Sequence, residues 1–523
     1  MTSPASPWRF LFEPSTSLPA LAWVARIRNL DVRVSCGVSV RLEEHGFFEG
    51  TWSGPPTLAA AARASTIFGS GIVLDGRELV VVPPAHTLEP VYLATEPDGT
   101  LLVSNSLVGL LCATGRELHS TALYPPLFGT SNRGLSHAVQ TVPTTTDPIR
   151  LNYFENLRVN IDGSTTVRPK QRDEPFASFA DYRDRLVDHL RSAFANAPRY
   201  VPAVAMSAGY DSTAAAAVGA QAGCRRALTF RTGWPWQGYH GDADSCDVAA
   251  DALGLSVQHF DRLAYLQLGD APEAEFLATG MTGEDVVYRS MEQALRSTLL
   301  ITGYWGGAAW RGLARANLSR IDLSGASLGE FRLRVDMIHV PMPFIGGLQQ
   351  PSFSVFRSSP ELQPYSVGGV YDEPVARRLA EEAGVPRASF GVEKLAVSQR
   401  LNAHGLDAMS ESGRASFENF AGEEALAGLP RKQIIKRRHR AAIRTARALH
   451  ADRLVAGLVE RRWRVVHFEP VLGSLLLRWA VARVRPRYAA VTLAGPRASV
   501  DTELGAAVPD LASAPVEAAR VSG

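Results

Sequence analysis

Cysteine is scarce in this chain: four residues (Cys36, Cys112, Cys224 and Cys246) in 523, none at the paired spacing of a metal knuckle. A zinc ribbon and a disulfide framework are excluded on that ground, and the thiols fit buried, reduced positions in a cytoplasmic protein. An excess of one charge is lacking too, with 54 Lys and Arg against 52 Asp and Glu. Long apolar runs are also missing. Residues 471–484 come nearest, but they are too few for a bilayer and Arg478 and Arg483 interrupt them, so no transmembrane segment is expected. The amino terminus carries Glu13 and prolines where a signal peptide has a basic patch and an apolar core. No Gly-Lys-Ser/Thr occurs, which removes the Walker phosphate loop.

What remains is a globular composition, 46% hydrophobic and 20% charged, in a chain long enough for two or three domains. The near-neutral total hides a local imbalance. Residues 431–487 hold 16 Lys and Arg against 3 Asp and Glu, densest at Lys432, Lys436, Arg437, Arg438, Arg440, Arg444 and Arg447. Such a tract is either a solvated helix face paired with the acidic remainder or, over 431–447, a docking surface for an acidic partner. Without interleaved aromatics or a recognition motif it argues against nucleic acid.

Residues 1–170 read as β-rich. Apolar or alternating runs at 32–40, 72–82, 89–94 and 100–104 are separated by Gly, Pro and Asp-Gly turns. From about 178 the pattern becomes an amphipathic helix (179–195) and then alternates. Strands are expected at 201–206, 227–231, 256–260 and 298–302, and helices at 212–222 and 244–253. Alternation of this kind implies a parallel sheet covered on both faces, with ligands at the carboxyl ends of its strands. After about 312 helices are expected to dominate. Leu318, Leu323, Leu328 and Leu333 recur every five residues, too short a run for a solenoid, so irregular packing is expected there. Residues 496–523 read as a loose tail, which leaves a second domain over 171–495.

The chemistry concentrates where the strand at 201–206 runs into Ser207-Ala208-Gly209-Tyr210-Asp211-Ser212 and an alanine-rich helix. A helix amino terminus offers unpaired N–H groups and a dipole that favours an anion. Ser207 and Ser212 add hydroxyl donors, and Asp211 can hold Mg²⁺ against phosphates. The hexapeptide resembles the pyrophosphate loop of the ATP pyrophosphatases. With its flanking elements, and with Glu89-Pro-Val-Tyr-Leu-Ala and Asp98-Gly-Thr-Leu-Leu-Val-Ser-Asn-Ser upstream, the chain resembles the asparagine-synthetase-like superfamily, β-lactam synthetases and lasso-peptide cyclases included. The resemblance implies an α/β two-domain protein. Its first part would be a degenerate glutaminase-type (Ntn-like) β-sandwich. Its second would be a doubly wound synthetase domain of the adenine-nucleotide α-hydrolase type.

The same resemblance implies ATP and Mg²⁺, with pyrophosphate on Ser207, Ala208, Gly209, Tyr210, Asp211 and Ser212 and the metal on Asp211. It places the adenine near Phe230 and Arg231, and brings Gly303, Gly306 and Gly307 against the phosphates. Tyr371-Asp-Glu-Pro-Val-Ala-Arg-Arg-Leu, followed by Phe390-Gly-Val-Glu-Lys, is similar to the helix and loop that deliver a catalytic lysine, here Lys394. The implied activity is an AMP-forming ligase that joins a carboxylate to an amine.

Three departures from the pattern stand out. The chain starts Met1-Thr2, so the family's amino-terminal cysteine, and with it glutaminase activity, is not expected. Ala208 replaces a loop glycine. Ala308 stands where the later loop has a second metal-binding Asp, a role for which Glu284, Asp285, Asp242 and Asp244 are candidates. Two other readings share the loop: a catalytically degenerate partner protein, and a sulfur-transfer or tRNA-modifying enzyme, which the scattered cysteines disfavour.

Overall fold

The computed structural model describes residues 6–124, 130, 133–232, 234–235, 245–310, 317–319, 323–349, 352–353, 357–369, 371–392, 395–399, 401, 406–426 and 469–492. Lys394, Asp242, Asp244, the tract 431–447 and the tail 496–523 lie outside the described residues.

The first part of the chain forms thirteen strands: β1 (Arg9–Ser15), β2 (Trp23–Arg28), β3 (Asp31–Gly37), β4 (Arg41–Glu43), β5 (Gly46–Trp52), β6 (Ile67–Asp75), β7 (Glu78–Val82), β8 (Val91–Thr95), β9 (Leu101–Ser104), β10 (Thr141–Val142), β11 (Ile149–Asn152), β12 (Asn156–Val159) and β13 (Thr165–Arg168). One sheet runs β1-β3-β2-β9-β8-β11-β10 and the other β13-β12-β7-β6-β5-β4. Pairing is antiparallel except between β1 and β3. The run at 72–82, read from sequence as one strand, is the hairpin of β6 and β7, turned at Gly76 with φ 65°.

Strand periodicity decides what each face buries. Trp23, Ala25, Ile27, Val32 and Val34 of the first sheet meet Phe47, Ile72, Leu74, Leu79 and Val81 of the second in one core. Intervening residues of the first sheet, Val24, Tyr92 and Leu102, pack outward with helices Leu107–Thr114 and Glu469–Val484. Those of the second sheet, Phe48, Val73, Val80 and Val82, pack outward with helix Phe179–Asn196. The most apolar stretch of the sequence is therefore a covering helix, with Leu476, Trp479 and Ala480 buried. Among the described residues no helix is long and apolar enough to cross a membrane.

Next come β14 (Val201–Ala205), β15 (Arg226–Phe230), β16 (Trp234–Pro235), β17 (Ser256–Phe260), β18 (Thr298–Thr302), β19 (Met337–Pro341) and β20 (Leu395–Ala396). Five of them make a parallel sheet in the order β17-β15-β14-β18-β19. Strands β18 and β19 are buried on both faces, which explains the apolar run within Thr298–Thr302, while the edge strand β17 is largely exposed. Val204, Ile301 and Val340 pack to one side with helix Tyr210–Ala222, and Ala203, Leu300 and Met337 to the other with Phe276 and Phe331. The expectation that helices dominate beyond 312 needs correction at β19, a fully buried fifth strand. It directly follows helix Gly329–Val335 through Asp336 alone, at φ 61°, a conformation that Asp tolerates better than most residues. The molecule is thus a mixed α/β protein with antiparallel and parallel sheets.

Candidate functional site

From β14 the chain moves outward through β15 to β17, then crosses back to place β18 on the other side of β14. The loops after β14 and β18 therefore diverge from neighbouring strand ends, the place where open α/β sheets bind ligands. Here the divergence is filled by small residues. A Cβ on Gly303 would lie 2.3 Å from the Asp211 backbone oxygen, and one on Gly306 would lie 2.7 Å from Asp211 Oδ1. Only glycine lets the two loops approach this closely. Trp305 between them holds φ 79°, left-handed for a bulky residue. Its ring stacks on Phe344 at 4.6 Å, and its Nε1 donates to Ser319 O at 2.9 Å.

The loop after β14 is tied internally. Ser207 Oγ and Ser212 Oγ are 2.7 Å apart, the Ser207 amide donates to Ser212 Oγ at 3.1 Å, and the Gly209 amide donates to Ser207 Oγ at 3.2 Å. Helix Tyr210–Ala222 starts at Gly209 without a side-chain cap, so its first amides face the loop. Ala208 is not among the residues with positive φ, so its methyl group fits where a glycine was expected. The Ala208 carbonyl accepts from the Gly391 amide at 2.7 Å.

A third segment, remote in sequence, closes the arrangement. The Tyr371 hydroxyl accepts from the Tyr210 amide at 3.5 Å and lies 3.7 Å from the Cβ position of Gly209. Burial first, then the negative charges of Asp211 and Glu373, push the Tyr371 phenol well up, so it stays protonated. Glu373, fully buried, precedes helix Pro374–Glu381. Arg377 of that helix donates to Tyr210 Oη at 2.6 Å and stacks over the rings of Tyr210 and Phe390.

Ser207, Gly209, Tyr210, Asp211, Ser212, Gly303, Gly306 and Gly307 therefore form one constellation. Phe230 does not face it in the same way. It ends β15 at the same sheet edge, but its ring packs against Tyr288 at 6.1 Å in the core beneath the sheet. Arg231 beside it is exposed. The chain leaves the loop at Gly391 and pairs again at β20 with β16, and Lys394 lies outside the described residues. Of the candidates for the second carboxylate, Asp285 accepts from the Gly325 amide at 2.8 Å and from Ser327 Oγ at 2.7 Å. Ser324 Oγ donates to Glu284 at 3.4 Å. Both carboxylates thus bind the turn at 324–327, whereas the Cβ position of Gly307 lies 3.4 Å from Asp211 Oδ2 and 4.0 Å from Glu373 Oε1. Sequence reasoning gave Tyr371, Glu373 and Arg377 no individual role. Glu373-Pro374 marks a helix start, but nothing local announces its neighbour Asp211.

The donor set fits a polyphosphate and its cation: a glycine cradle, helix amides, two hydroxyls and a carboxylate. Among the described residues no group of three or more His, Cys, Asp or Glu could hold a metal alone. Mg²⁺ takes one or two carboxylates and completes its shell with phosphate oxygens and water, and Asp211 is a carboxylate that could serve it. The four cysteines are buried, and the described part of the site contains none of them. Compared with known proteins, the chain matches no family model and no curated protein.

Proposed function

We propose that this protein is an ATP-dependent ligase that adenylates a carboxylate and couples it to an amine. The observation that carries the reading is the meeting of the loops after β14 and β18 at the switch point of the parallel sheet, with Gly303 and Gly306 against Asp211. The resemblance of Ser207–Ser212 to a pyrophosphate loop supplies the reaction class.

In this reading the amides that open helix Tyr210–Ala222, with Ser207 and Ser212, hold the β- and γ-phosphates of ATP. Their present bonds to each other and to Tyr371 are exchanged for bonds to phosphate oxygens. Mg²⁺, when bound, neutralises charge on the departing pyrophosphate. A substrate carboxylate oxygen attacks the α-phosphorus, and the bond to pyrophosphate breaks. The amine then attacks the acyl carbon, AMP leaves with the bonding pair, and the amine surrenders a proton. Lys394 is the residue that the reading assigns to the oxyanion of that second step.

Calorimetry with Mg·ATP on the wild type and on Asp211→Asn tests the assignment. Binding by the wild type that is lost in the variant is the expected result. Failure of the wild type to bind ATP overturns the reading. Binding without AMP release across a broad amine and carboxylate screen points to the non-catalytic partner role.

A further inference from the structure

Tyr210 opens the helix whose first amides face the loop, yet its side chain is held by a segment remote in sequence. The ring is 1% exposed and meets Tyr371 at 4.7 Å and Phe390 at 5.9 Å, both edge-on. Gly391 completes the enclosure: it holds φ 65°, and a Cβ there would lie 2.4 Å from the Tyr210 ring. The hydroxyl goes to Arg377, which donates to it at 2.6 Å. Arg377 is itself pinned. It is buried, and it donates to the Arg387 carbonyl and to Glu381 Oε1, each at 3.1 Å. Glu381 is fixed in turn by Arg387 at 2.8 Å. The Gly391 amide also donates to Ala208 O at 2.7 Å, so one segment grips the loop at two points, Ala208 and Tyr210.

We infer that Arg377 is a positioning residue for the nucleotide loop: it fixes the Tyr210 side chain, and so sets the direction of the Tyr210 amide before a phosphate arrives. The inference rests on the nucleotide-binding reading above, which gave Arg377 no part. An amide holds an anion best when no freedom has to be lost on binding. A tyrosine anchored by a charge-assisted hydrogen bond has lost that freedom already, at the residue where the loop turns into helix. Its hydroxyl is committed to Arg377, so the amide is what the residue presents to the ligand. Replacing Arg377, or removing that hydroxyl, leaves every proposed phosphate ligand in place and changes how firmly one of them is aimed.

The test is calorimetric titration of Mg·ATP and of magnesium pyrophosphate into the full chain, for the wild type, Tyr210→Phe, Arg377→Met and the double variant. Melting curves report folding. Each single variant is expected to bind both ligands about tenfold more weakly, the equivalent of one hydrogen bond to a charged group. Each should also melt below the wild type, because it strands a buried polar group. The double variant strands neither partner of the bond. Its Tm should therefore recover towards the wild type while its affinity stays about tenfold low, rather than about a hundredfold. A purely structural Arg377 would let affinity recover together with Tm, and that result overturns the inference. Unchanged affinity in both single variants overturns it too and leaves the nucleotide reading standing. If the wild type binds neither ligand, the nucleotide reading fails and takes the inference with it. Should Arg377→Met not fold, Tyr210→Phe decides alone, since it keeps the ring and its packing: a loss of affinity supports the inference and an unchanged affinity overturns it.

Discussion

Lys170 is an uncommon side chain: a lysine 4% exposed, whose Nζ donates to Asn156 Oδ1 at 2.5 Å. Burial draws its pKa down to about 7, against a partial opposing pull from Glu155. Between that value and the ordinary lysine range the unfolded chain binds the extra proton and the folded chain does not. Stability contributed by this group therefore rises with pH across that window and is least below it. The wild-type melting temperature should climb from pH 7 to 9 more steeply than that of Lys170→Met. Equal slopes in the two proteins would show that Lys170 is charged in the folded state at pH 7.

At the scale of elements, the site depends on how closely β18 approaches helix Tyr210–Ala222. A methyl group at Gly303 would meet the Asp211 backbone at 2.3 Å, and backbone cannot rotate away as a side chain can. Gly303→Ala should therefore lower stability by roughly 1–3 kcal/mol and abolish ATP binding. Gly307→Ala, whose nearest neighbour is 3.4 Å away, should melt near the wild type. Denaturant curves for the pair check this, and equal destabilisation would mean that the loops are not in the contact described. The strands at 256–260 and 298–302 match their sequence reading to the residue, the second because a short apolar run bounded by turns carries its own signal. Strand β19 could not: only Asp336 separates it from the preceding helix, so no loop announces it.

Over the whole molecule, the sandwich and the parallel sheet are joined through buried charge. Arg332, on helix Gly329–Val335, donates to Glu49 Oε2 of β5 at 2.8 Å and to Glu89 Oε1 at 2.8 Å. Burial alone would lower its pKa, but the two carboxylates hold it above the usual arginine value. Glu49, fully buried, is shifted up by that burial even with Arg332 present. Arg332→Met leaves two carboxylates buried without this cation, so it should cost about 3–5 kcal/mol near neutral pH. Glu49 would then titrate still higher in the folded state, so stability of the variant should be recovered as pH falls towards the ordinary carboxylate range and lost as it rises. Denaturant curves from pH 5 to 8 check the sign; a loss independent of pH would assign the effect to packing instead.

The sequence by itself determined the strands between 201 and 302 and the chemistry of the loop at Ser207–Ser212. The alternation at 201–302 is a local property of apolar runs and turns, and so is the run of amides and hydroxyls at Ser207–Ser212. It could not determine which carboxylate comes near Asp211, because burial and neighbourhood are decided by segments distant along the chain. The sequence offered Glu284 and Asp285 for a second carboxylate and gave Glu373 no such role. Only the packing of helix Pro374–Glu381 against helix Tyr210–Ala222 brings Glu373 to Gly307, while a turn at 324–327 takes the other two. The same limit applies to residues 471–484: their apolar character is written in the chain, but the surface they cover, beside helix Leu107–Thr114, exists only once the first sheet has formed.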